Sequence, residues 1–223
     1  MSKIILIRHG QASFGKKDYD QLSELGIKQA TWLGAYLKEC EIKPTRLITG
    51  SLTRHKQTAD HICTRLNIQS SREEHIGWNE FDFQAIVYAY LKLHPESAPK
   101  SNQPKAFFNL LKKSMTAWSR NELKNTLPES WIEFESRVKK AMLYSKSEND
   151  NGPVIVVSSG GAISMALKHI LRLDNDAMID LNLQTRNTGI SEIYFSTSHE
   201  QVCFFNATPH LETKERRASI TYA

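Results

Sequence analysis

An apolar run that begins almost at the first residue and ends abruptly in Arg8-His9-Gly10 constrains this chain more than any other feature. Residues 4–7 are Ile, Ile, Leu and Ile, without the alternation of a half-exposed strand. Such a run is typical of a strand buried on both faces of an α/β sheet. These sheets bind ligands just beyond the carboxyl ends of their strands, where the guanidinium and the imidazole would lie. The pair predicts a site for a phosphate group.

The composition is that of an ordinary globular protein. The chain of 223 residues is long enough to bury a hydrophobic core. Its hydrophobic fraction of 40% and charged fraction of 24% are typical of globular domains. No apolar run approaches the roughly 20 residues that cross a bilayer, and the start reads as a strand rather than a signal peptide, so we expect no membrane association. The histidines show no metal-binding spacing. Three widely spaced cysteines favour free thiols and a cytoplasmic location: Cys40, Cys63 and Cys203.

The positive charge is concentrated in one segment. Residues 83–128 contain seven Lys or Arg and two Glu, and therefore carry the whole net charge of +5. A basic segment can steer an anionic substrate, but scattered lysines are more often the solvated face of exposed helices. Because no recognition motif accompanies them, we do not expect nucleic-acid binding. Nothing in the sequence indicates an oligomeric state.

Strands alternate with helices along most of the chain, which predicts a sheet built from βαβ units. Ser23 is a predicted helix N-cap, and Ser130-Trp131-Ile132-Glu133 is a capping box. Residues 83–128 break the alternation with two helical stripes separated by prolines. The predicted strands cover 4–8, 46–49, 154–158, 190–194 and 202–205.

Two further motifs accompany the first strand. Ser51-x-x-Arg54-x-x-Gln57-Thr58-Ala59 opens a predicted helix with Glu80 after it, and a later strand runs into Ser158-Ser159-Gly160-Gly161. Together with Leu6-Ile7-Arg8-His9-Gly10, these pieces resemble the histidine phosphatase superfamily, also called phosphoglycerate mutase-like. The resemblance spans nearly the whole chain. It implies a single domain over 1–223, a three-layer sandwich with a mostly parallel sheet, helices on both faces and a helical cap inserted at about 83–128.

The resemblance also implies a role for each matching residue. His9 would attack phosphorus and become phosphorylated, while Arg8 and Arg54 bind phosphate oxygens with paired N–H donors. The two cations would also keep the imidazole neutral. Glu80 is the implied general acid, although Asp82 lies two residues away and is an alternative. The substrate would be a small phosphate ester, with no metal or nucleotide cofactor.

Further phosphate contacts are expected around the turn at Ser159 and Gly160, because a helix predicted to begin there would turn its positive end to the anion. Gln11 either touches phosphate or is a loop residue. His55 and His61 lie on the helix that carries Arg54 and are expected to be exposed or structural.

Ser159 departs from the family pattern, which has a second histidine at this position. That imidazole would donate to the phosphoryl group, and losing one such donor typically costs about 10²–10³ in rate. Three outcomes stay open: the enzyme is slow, another donor compensates, or the pocket binds phosphate without turnover. His94 and His210 are the first candidates for a compensating donor. Ser159 as a nucleophile would need a G-x-S-x-G elbow, which is absent.

We therefore expect a phosphatase that hydrolyses a phosphate monoester through a phosphohistidine at His9. A mutase is the weaker alternative, because Gln11-Ala12-Ser13-Phe14-Gly15 stands where such mutases carry Glu-Ser-x-Trp-Asn. From a different class, the alternative is a noncatalytic protein that binds a phosphate ligand or a protein partner.

Overall fold

A computed structural model of the chain describes residues 2–13, 20–68, 71–99, 101, 103–123, 127–147, 152–196 and 199–222. Most of the loop between Gln11 and Gln21 lies outside this part, as do Lys100 and Lys124 of the basic segment. The described strands are β1 (Ser2–Arg8), β2 (Arg46–Thr49), β3 (Arg72–Glu74), β4 (Pro153–Ser158), β5 (Ile190–Phe195) and β6 (Glu200–Ala207). The described α-helices are α1 (Glu24–Glu39), α2 (Thr53–Leu66), α3 (Phe83–Leu93), α4 (Pro104–Ser119), α5 (Trp131–Lys146), α6 (Gly160–Leu171) and α7 (Asn175–Leu183). Within these ranges, no helix combines the length and the apolar character that crossing a membrane requires.

The strands form one sheet in the order β3-β2-β4-β1-β5-β6. The neighbours among β3, β2, β4 and β1 pair in parallel, whereas β5 pairs antiparallel with both β1 and β6. The predicted mostly parallel sheet is therefore confirmed. In the β1–β4 register Arg8 lies opposite Ser158, so the two polar strand ends meet at the same edge of the sheet.

Helices cover both faces of the sheet. On one face, Ile5 and Ile7 of β1 pack in a core with α1 and α2. On the other face, Ile4 and Leu6 pack in a core with α5 and α6. These four β1 side chains are at most 2% exposed, and this two-sided burial explains why the apolar run does not alternate.

The first turns of three helices are capped in different ways. Ser23 caps α1, and Ser130 forms the predicted capping box with Glu133 at the start of α5. The first turn of α2 has no cap from its own N-cap residue. Instead, the Asp20 carboxylate accepts a hydrogen bond from the Thr53 N–H at 2.7 Å.

Residues 83–128, called the cap below, contain α3 and α4, which pack on each other, while α4 also packs on α7. Two cations, one on α4 and one directly after it, pair with acidic residues of α7. Lys112 contacts Asp180, and Arg120 Nη2 lies 3.6 Å from Asp176 Oδ2. These two charges therefore lie on a solvated helical face.

Candidate active site

The carboxyl ends of β1 and β4 hold the predicted phosphate-binding residues. The His9 N–H donates to the Ser158 carbonyl at 2.9 Å, which extends the β1–β4 pairing by one residue. From the other side, Asn187 Nδ2 donates to the His9 carbonyl at 3.1 Å, and the Thr188 N–H donates to the Arg8 carbonyl at 3.0 Å. The backbone of this pair is therefore fixed on both sides.

Gly10 allows the chain to turn closely against α1. A Cβ at Gly10 would lie 2.5 Å from the Gly26 carbonyl oxygen, so only glycine fits. The Gly10 N–H donates to Thr58 Oγ1 at 3.0 Å, and the Thr58 hydroxyl donates to the Arg54 carbonyl at 2.7 Å. These bonds connect the turn after β1 to the first turn of α2, where Arg54 lies.

His9 is buried with its Nε2 in an unprotonated state. Its Nδ1 lies 2.7 Å from the Gly10 carbonyl oxygen, and because a carbonyl only accepts, the proton is on Nδ1. Nε2 therefore carries the lone pair and accepts from Arg54 Nε at 3.2 Å. Burial, followed by the charges of Arg54 and Arg8 and by the His55 ring, lowers the pKa of His9 well below 6.5. The neutral ring is the nucleophilic form of histidine.

Arg54 lies between His9 and Asp20. While its Nε faces His9, its Nη1 donates to Asp20 Oδ1 at 2.6 Å. The Arg54 side chain is 9% exposed, so this guanidinium is held in place within the protein. Asp20 thus has two functions, because the same carboxylate caps α2 and orients the guanidinium.

Arg8 is the second cation of the site. Its Nη1 donates to the backbone carbonyls of Thr185 and Tyr222, the latter at 2.6 Å. Arg8 and Arg54 both line a cavity above His9. The C-terminal segment reaches this cavity through Tyr222.

Glu80 and Asp82 have different environments. Glu80 lines the cavity with His9, and its Oε2 accepts from the Gly161 N–H at 3.1 Å. Burial raises the pKa of Glu80 above 4.5 and outweighs the hydrogen bonds and arginine charges that lower it. Asp82 is exposed and caps α3 by accepting from the Ala85 N–H at 2.9 Å. Of the two carboxyl groups, Glu80 is the one that lies in the cavity.

Ser159 is fully buried at the N-cap position of α6, where its hydroxyl makes no cap hydrogen bond. Its Oγ lies 2.7 Å from Nε2 of His55. His55 is also fully buried, so of the two expectations for this residue, exposed or structural, only the structural one agrees with its burial. Its ring centroid is 5.5 Å from that of His9, and burial and the Arg54 charge lower the pKa of His55 well below 6.5.

Gln11 contacts the start of α1. Gln11 Oε1 accepts from the Ser23 hydroxyl at 2.8 Å, and Gln11 does not line the cavity. Gly160 lies beside Arg8, where a Cβ would be 3.6 Å from Arg8 Nε. Of the predicted residues, Arg8, His9, Arg54 and Glu80 line the cavity together. Ser159 and Gly160 are not among the lining residues and lie next to them, beside His55 and Arg8.

Neither histidine considered as a substitute donor lines the cavity. His94 ends α3, and its Nδ1 lies 3.5 Å from Glu96 Oε1. His210 is buried elsewhere, with Nε2 2.8 Å from Thr188 Oγ1. Burial lowers the pKa of His210 to about 3.

Six apolar side chains line the same cavity, whose volume is about 100 Å³ and whose lining also includes Ala12, Asn182 and Tyr222. Together the six are called the aromatic wall below: Phe81, Phe83, Phe107, Phe108, Leu111 and Leu183. Within the described ranges, no three His, Cys, Asp or Glu side chains are grouped so as to hold a metal ion.

Three residues of the site were not predicted from the sequence: Asp20, His55 and Tyr222. For His55 a signal exists, since it directly follows Arg54 in the motif. Asp20 and Tyr222 are distant from their arginine partners in the chain, and no spacing rule connects them.

Comparison with known proteins assigns the family. The sequence profile of the histidine phosphatase superfamily (branch 1) matches residues 4–208. The chain belongs to this superfamily. A curated relative, the 2,3-bisphosphoglycerate-dependent phosphoglycerate mutase 2 of Bacteroides thetaiotaomicron, is 22% identical over an alignment that covers 91% of this chain and 94% of the relative.

Known structures have the same fold. A mutant phosphoserine phosphatase from Entamoeba histolytica in complex with phosphoserine has a TM-score of 0.67 at 21% identity, covering 95% of this chain and 100% of the other. Phosphoglycerate mutase from Bacillus anthracis has a TM-score of 0.67 at 19% identity, covering 94% of both chains. At these identities the likeness shows the fold, which phosphatases and mutases share.

Proposed function

We propose that the protein is a phosphatase that hydrolyses a small phosphate monoester through a phosphohistidine at His9. The observation that carries this proposal is the 3.2 Å contact between Arg54 Nε and His9 Nε2, with the His9 proton on Nδ1. It puts an unprotonated nitrogen next to a cation that binds phosphate oxygens. Membership of the superfamily supports phosphoryl transfer as the reaction class.

In the first step, Arg54 and Arg8 donate N–H groups to the phosphoryl oxygens, and the Arg54 Nε–H leaves His9 Nε2 for one of these oxygens. The lone pair of His9 Nε2 that this releases attacks phosphorus. The N–P bond forms as the P–O bond to the alcohol breaks. Glu80 gives its proton to the leaving oxygen, a role that its raised pKa favours. The two guanidiniums stabilise the charge on the phosphoryl oxygens.

In the second step, water attacks the phosphorus of the phosphohistidine, and the Glu80 carboxylate accepts the proton that the water loses. The N–P bond breaks, inorganic phosphate leaves, and Glu80 is protonated again. The Gly10 carbonyl holds the His9 proton on Nδ1 throughout, so the lone pair returns to Nε2.

The cavity supports hydrolysis over a mutase reaction. Among the described lining residues the cations are Arg8 and Arg54. A phosphoglycerate mutase must also hold a carboxylate and a second phosphate, which requires further N–H donors. The aromatic wall supplies none, and Asn182 is the amide side chain among the described lining residues. A noncatalytic binding protein would need the arginines, but it has no use for an unprotonated Nε2 at His9 or for a buried acid at Glu80.

Rapid quench with a phosphate ester that carries labelled phosphorus tests the proposal. We expect an adduct on His9 that is labile in acid and stable in base, and His9→Ala should lose both the adduct and turnover. His61→Ala, on the same helix as Arg54, is the matched control and should keep both. Full turnover in a folded His9→Ala protein would rule out the phosphohistidine.

The ligand class and the location belong to the same proposal. A small phosphate ester as ligand agrees with the phosphoserine bound to the Entamoeba histolytica protein. We infer a cytoplasmic location from Cys40 and Cys203, whose thiols form no disulfide within the described part of the chain, because oxidising compartments tend to pair such thiols.

A further inference from the structure

The cavity is lined by charged side chains and by the aromatic wall. The rings of Phe83 and Phe107 meet edge to face, with centroids 6.4 Å apart and planes at 87°. Phe107 and Phe108 are similarly tilted, with centroids 6.3 Å apart and planes at 68°. Rings in this arrangement present edges and faces to which a further ring can pack.

The described cations of the cap contribute no charge to the lining of the cavity. Lys112 and Arg120 pair with acidic residues of α7, and Lys92 Nζ lies over the Tyr88 ring, 4.6 Å from its centroid. None of the described Lys or Arg residues of the cap lines the cavity. A carboxylate or a second phosphate on the substrate would therefore lose water against the aromatic wall without gaining a cationic partner there. Asn182 and Tyr222 are the further residues with polar side chains in the described lining.

We propose that the substrate is a phosphate monoester whose alcohol part is apolar and carries an aromatic or similarly flat ring. This rests on the proposed phosphatase function and deepens it. The phosphate binds at Arg8, His9 and Arg54, and the ring packs on Phe83 and Phe107. Selectivity then comes from the aromatic wall, and the chemistry comes from the charged residues that line the same cavity.

Binding of two phosphonates, which cannot be hydrolysed, tests this substrate class directly. Calorimetry with the full chain should give a dissociation constant at least about tenfold lower for 2-phenylethylphosphonate than for 2-hydroxyethylphosphonate. Phe107→Ser should remove most of this preference. Phe204→Ser, at a side chain 40% exposed on β6, is the control and should retain it.

The kcat/KM values for 2-phenylethyl phosphate and glycerol 1-phosphate separate the two proposals, because the two alcohols leave with similar ease. Equal binding of the phosphonates overturns the substrate class, even if both esters are hydrolysed through His9. Selective binding of the phenyl compound without hydrolysis of either ester supports the ligand class and counts against the phosphatase.

A second, independent observation concerns the pair His55 and Ser159. Both side chains are fully buried, and His55 Nε2 lies 2.7 Å from Ser159 Oγ. The ring fits because residue 50 is Gly50, where a Cβ would lie 2.4 Å from His55 Nδ1. The fold therefore accommodates an imidazole beside the site at the expense of a side chain at position 50.

A purely structural histidine explains this pair less well. His55 Nδ1 has no hydrogen-bond partner among the described groups, and burying it costs stability that an apolar side chain would not lose. The His55 ring lies 5.5 Å from that of His9, and Ser159 is followed by Gly160, which adjoins Arg8. The pair thus adjoins the nucleophile on one side and a phosphate-binding arginine on the other.

We infer that His55 orients the Ser159 hydroxyl as a hydrogen-bond donor to the phosphoryl group that His9 attacks, again on the basis of the proposed function. With His55 Nε2–H donating to Ser159 Oγ, the hydroxyl hydrogen is directed to a phosphoryl oxygen. Ser159 touches the substrate and His55 is a positioning residue, which loses no proton. This donor occupies the position for which the family pattern has a histidine.

A double-mutant cycle tests whether the two residues act as a unit. His55→Ala and Ser159→Ala should each lower kcat by roughly 10- to 100-fold with little change in KM, because the donor acts in the transition state. The double variant should be no slower than the slower single variant. His61→Ala, from the same helix, should retain the kcat of the wild type.

Two measurements distinguish a positioning role of His55 from a purely structural one. The double variant His55→Ala/Ser159→His carries its imidazole at the start of α6 instead of on α2. Its kcat should recover to within about tenfold of the wild type. His55→Ala should also weaken the binding of vanadate, which resembles the transition state, more than that of inorganic phosphate. Unchanged kcat or unchanged vanadate affinity in a folded His55→Ala protein overturns the inference. Absence of a labelled His9 in the wild type would instead count against the proposed function.

Discussion

Asp20 holds Arg54 at the end of the guanidinium opposite to His9. Its Oδ1 accepts from Nη1 at 2.6 Å, while Nε of the same group faces His9 Nε2 at 3.2 Å. A planar fork with five N–H donors can serve both partners and still direct donors to a phosphate, whereas an ammonium group acts as a point charge. The site therefore depends on the shape of this cation as well as on its charge.

Arg54→Lys tests this dependence. Lysine keeps the charge but loses the fork, so we expect kcat to fall by about 10²–10³, as for the loss of one preorganised donor. Steady-state hydrolysis of an aryl phosphate gives the value, and a thermal melt shows that the variant is folded. Arg65→Lys, at an exposed position near the end of the same helix, should change neither. A rate for Arg54→Lys close to the wild type would contradict the role given to the fork.

Glu80→Gln tests the general acid through the leaving group. With an alkyl phosphate, phosphorylation of His9 should slow by roughly 10²–10⁴, because the alkoxide needs a proton. With p-nitrophenyl phosphate the same step should slow much less, because that leaving group is stable as an anion. Single-turnover kinetics isolates the step.

Asp82→Asn is the matched control for Glu80→Gln. Asparagine still caps α3, so fold and rate should both be retained. If Asp82→Asn showed the leaving-group dependence and Glu80→Gln did not, the acid would have to be reassigned.

The two shifted groups predict the pH profile of kcat/KM. The first step needs a neutral His9, whose pKa lies well below 6.5, and a protonated Glu80, whose pKa lies above 4.5. Activity should therefore persist below pH 6.5 and fall on the alkaline side as Glu80 loses its proton. Rates measured from about pH 4 to about pH 9 give the profile. In Glu80→Gln the alkaline limb should disappear from the residual activity, and its persistence would show that another group titrates. Ionisation of the substrate affects both proteins equally.

The sequence predicts the sheet well where burial dictates the residue pattern. Ile4 to Ile7 pack against helices on both faces, so the run itself shows a central strand. β3 does not follow from the sequence, because Arg72-Glu73-Glu74 is short and polar and forms a strand by pairing with β2 at the edge of the described sheet. Its strand character comes from a tertiary contact.

The site residues that stand at strand ends or within motifs also follow from the sequence, because the local residue pattern fixes where they lie. Residues that join distant segments do not. Asp20 and Tyr222 reach Arg54 and Arg8 only after the loops have folded, and local spacing carries no trace of this. His55 was expected to be exposed or structural because helix periodicity alone cannot show that a polar position turns toward a second buried polar group.

His210 makes the stability of the protein depend on pH. Its pKa is about 3 in the folded protein against 6.5 for an ordinary histidine, so between these values the unfolded chain binds the extra proton. The contribution of neutral His210 is therefore complete above pH 6.5 and is lost as the pH falls. Linkage gives a loss of about 2 kcal/mol in the free energy of unfolding between about pH 7 and about pH 5.

Urea unfolding of wild type and His210→Gln at these two pH values measures this loss. Glutamine can still bond to Thr188 Oγ1 but does not titrate, so the variant should lose about 2 kcal/mol less than the wild type on acidification. Other buried histidines, such as His9 and His55, contribute equally to both proteins and cancel in the comparison. His199→Gln, at an exposed position, should behave as the wild type. Equal losses in wild type and His210→Gln would mean that His210 takes up its proton without unfolding.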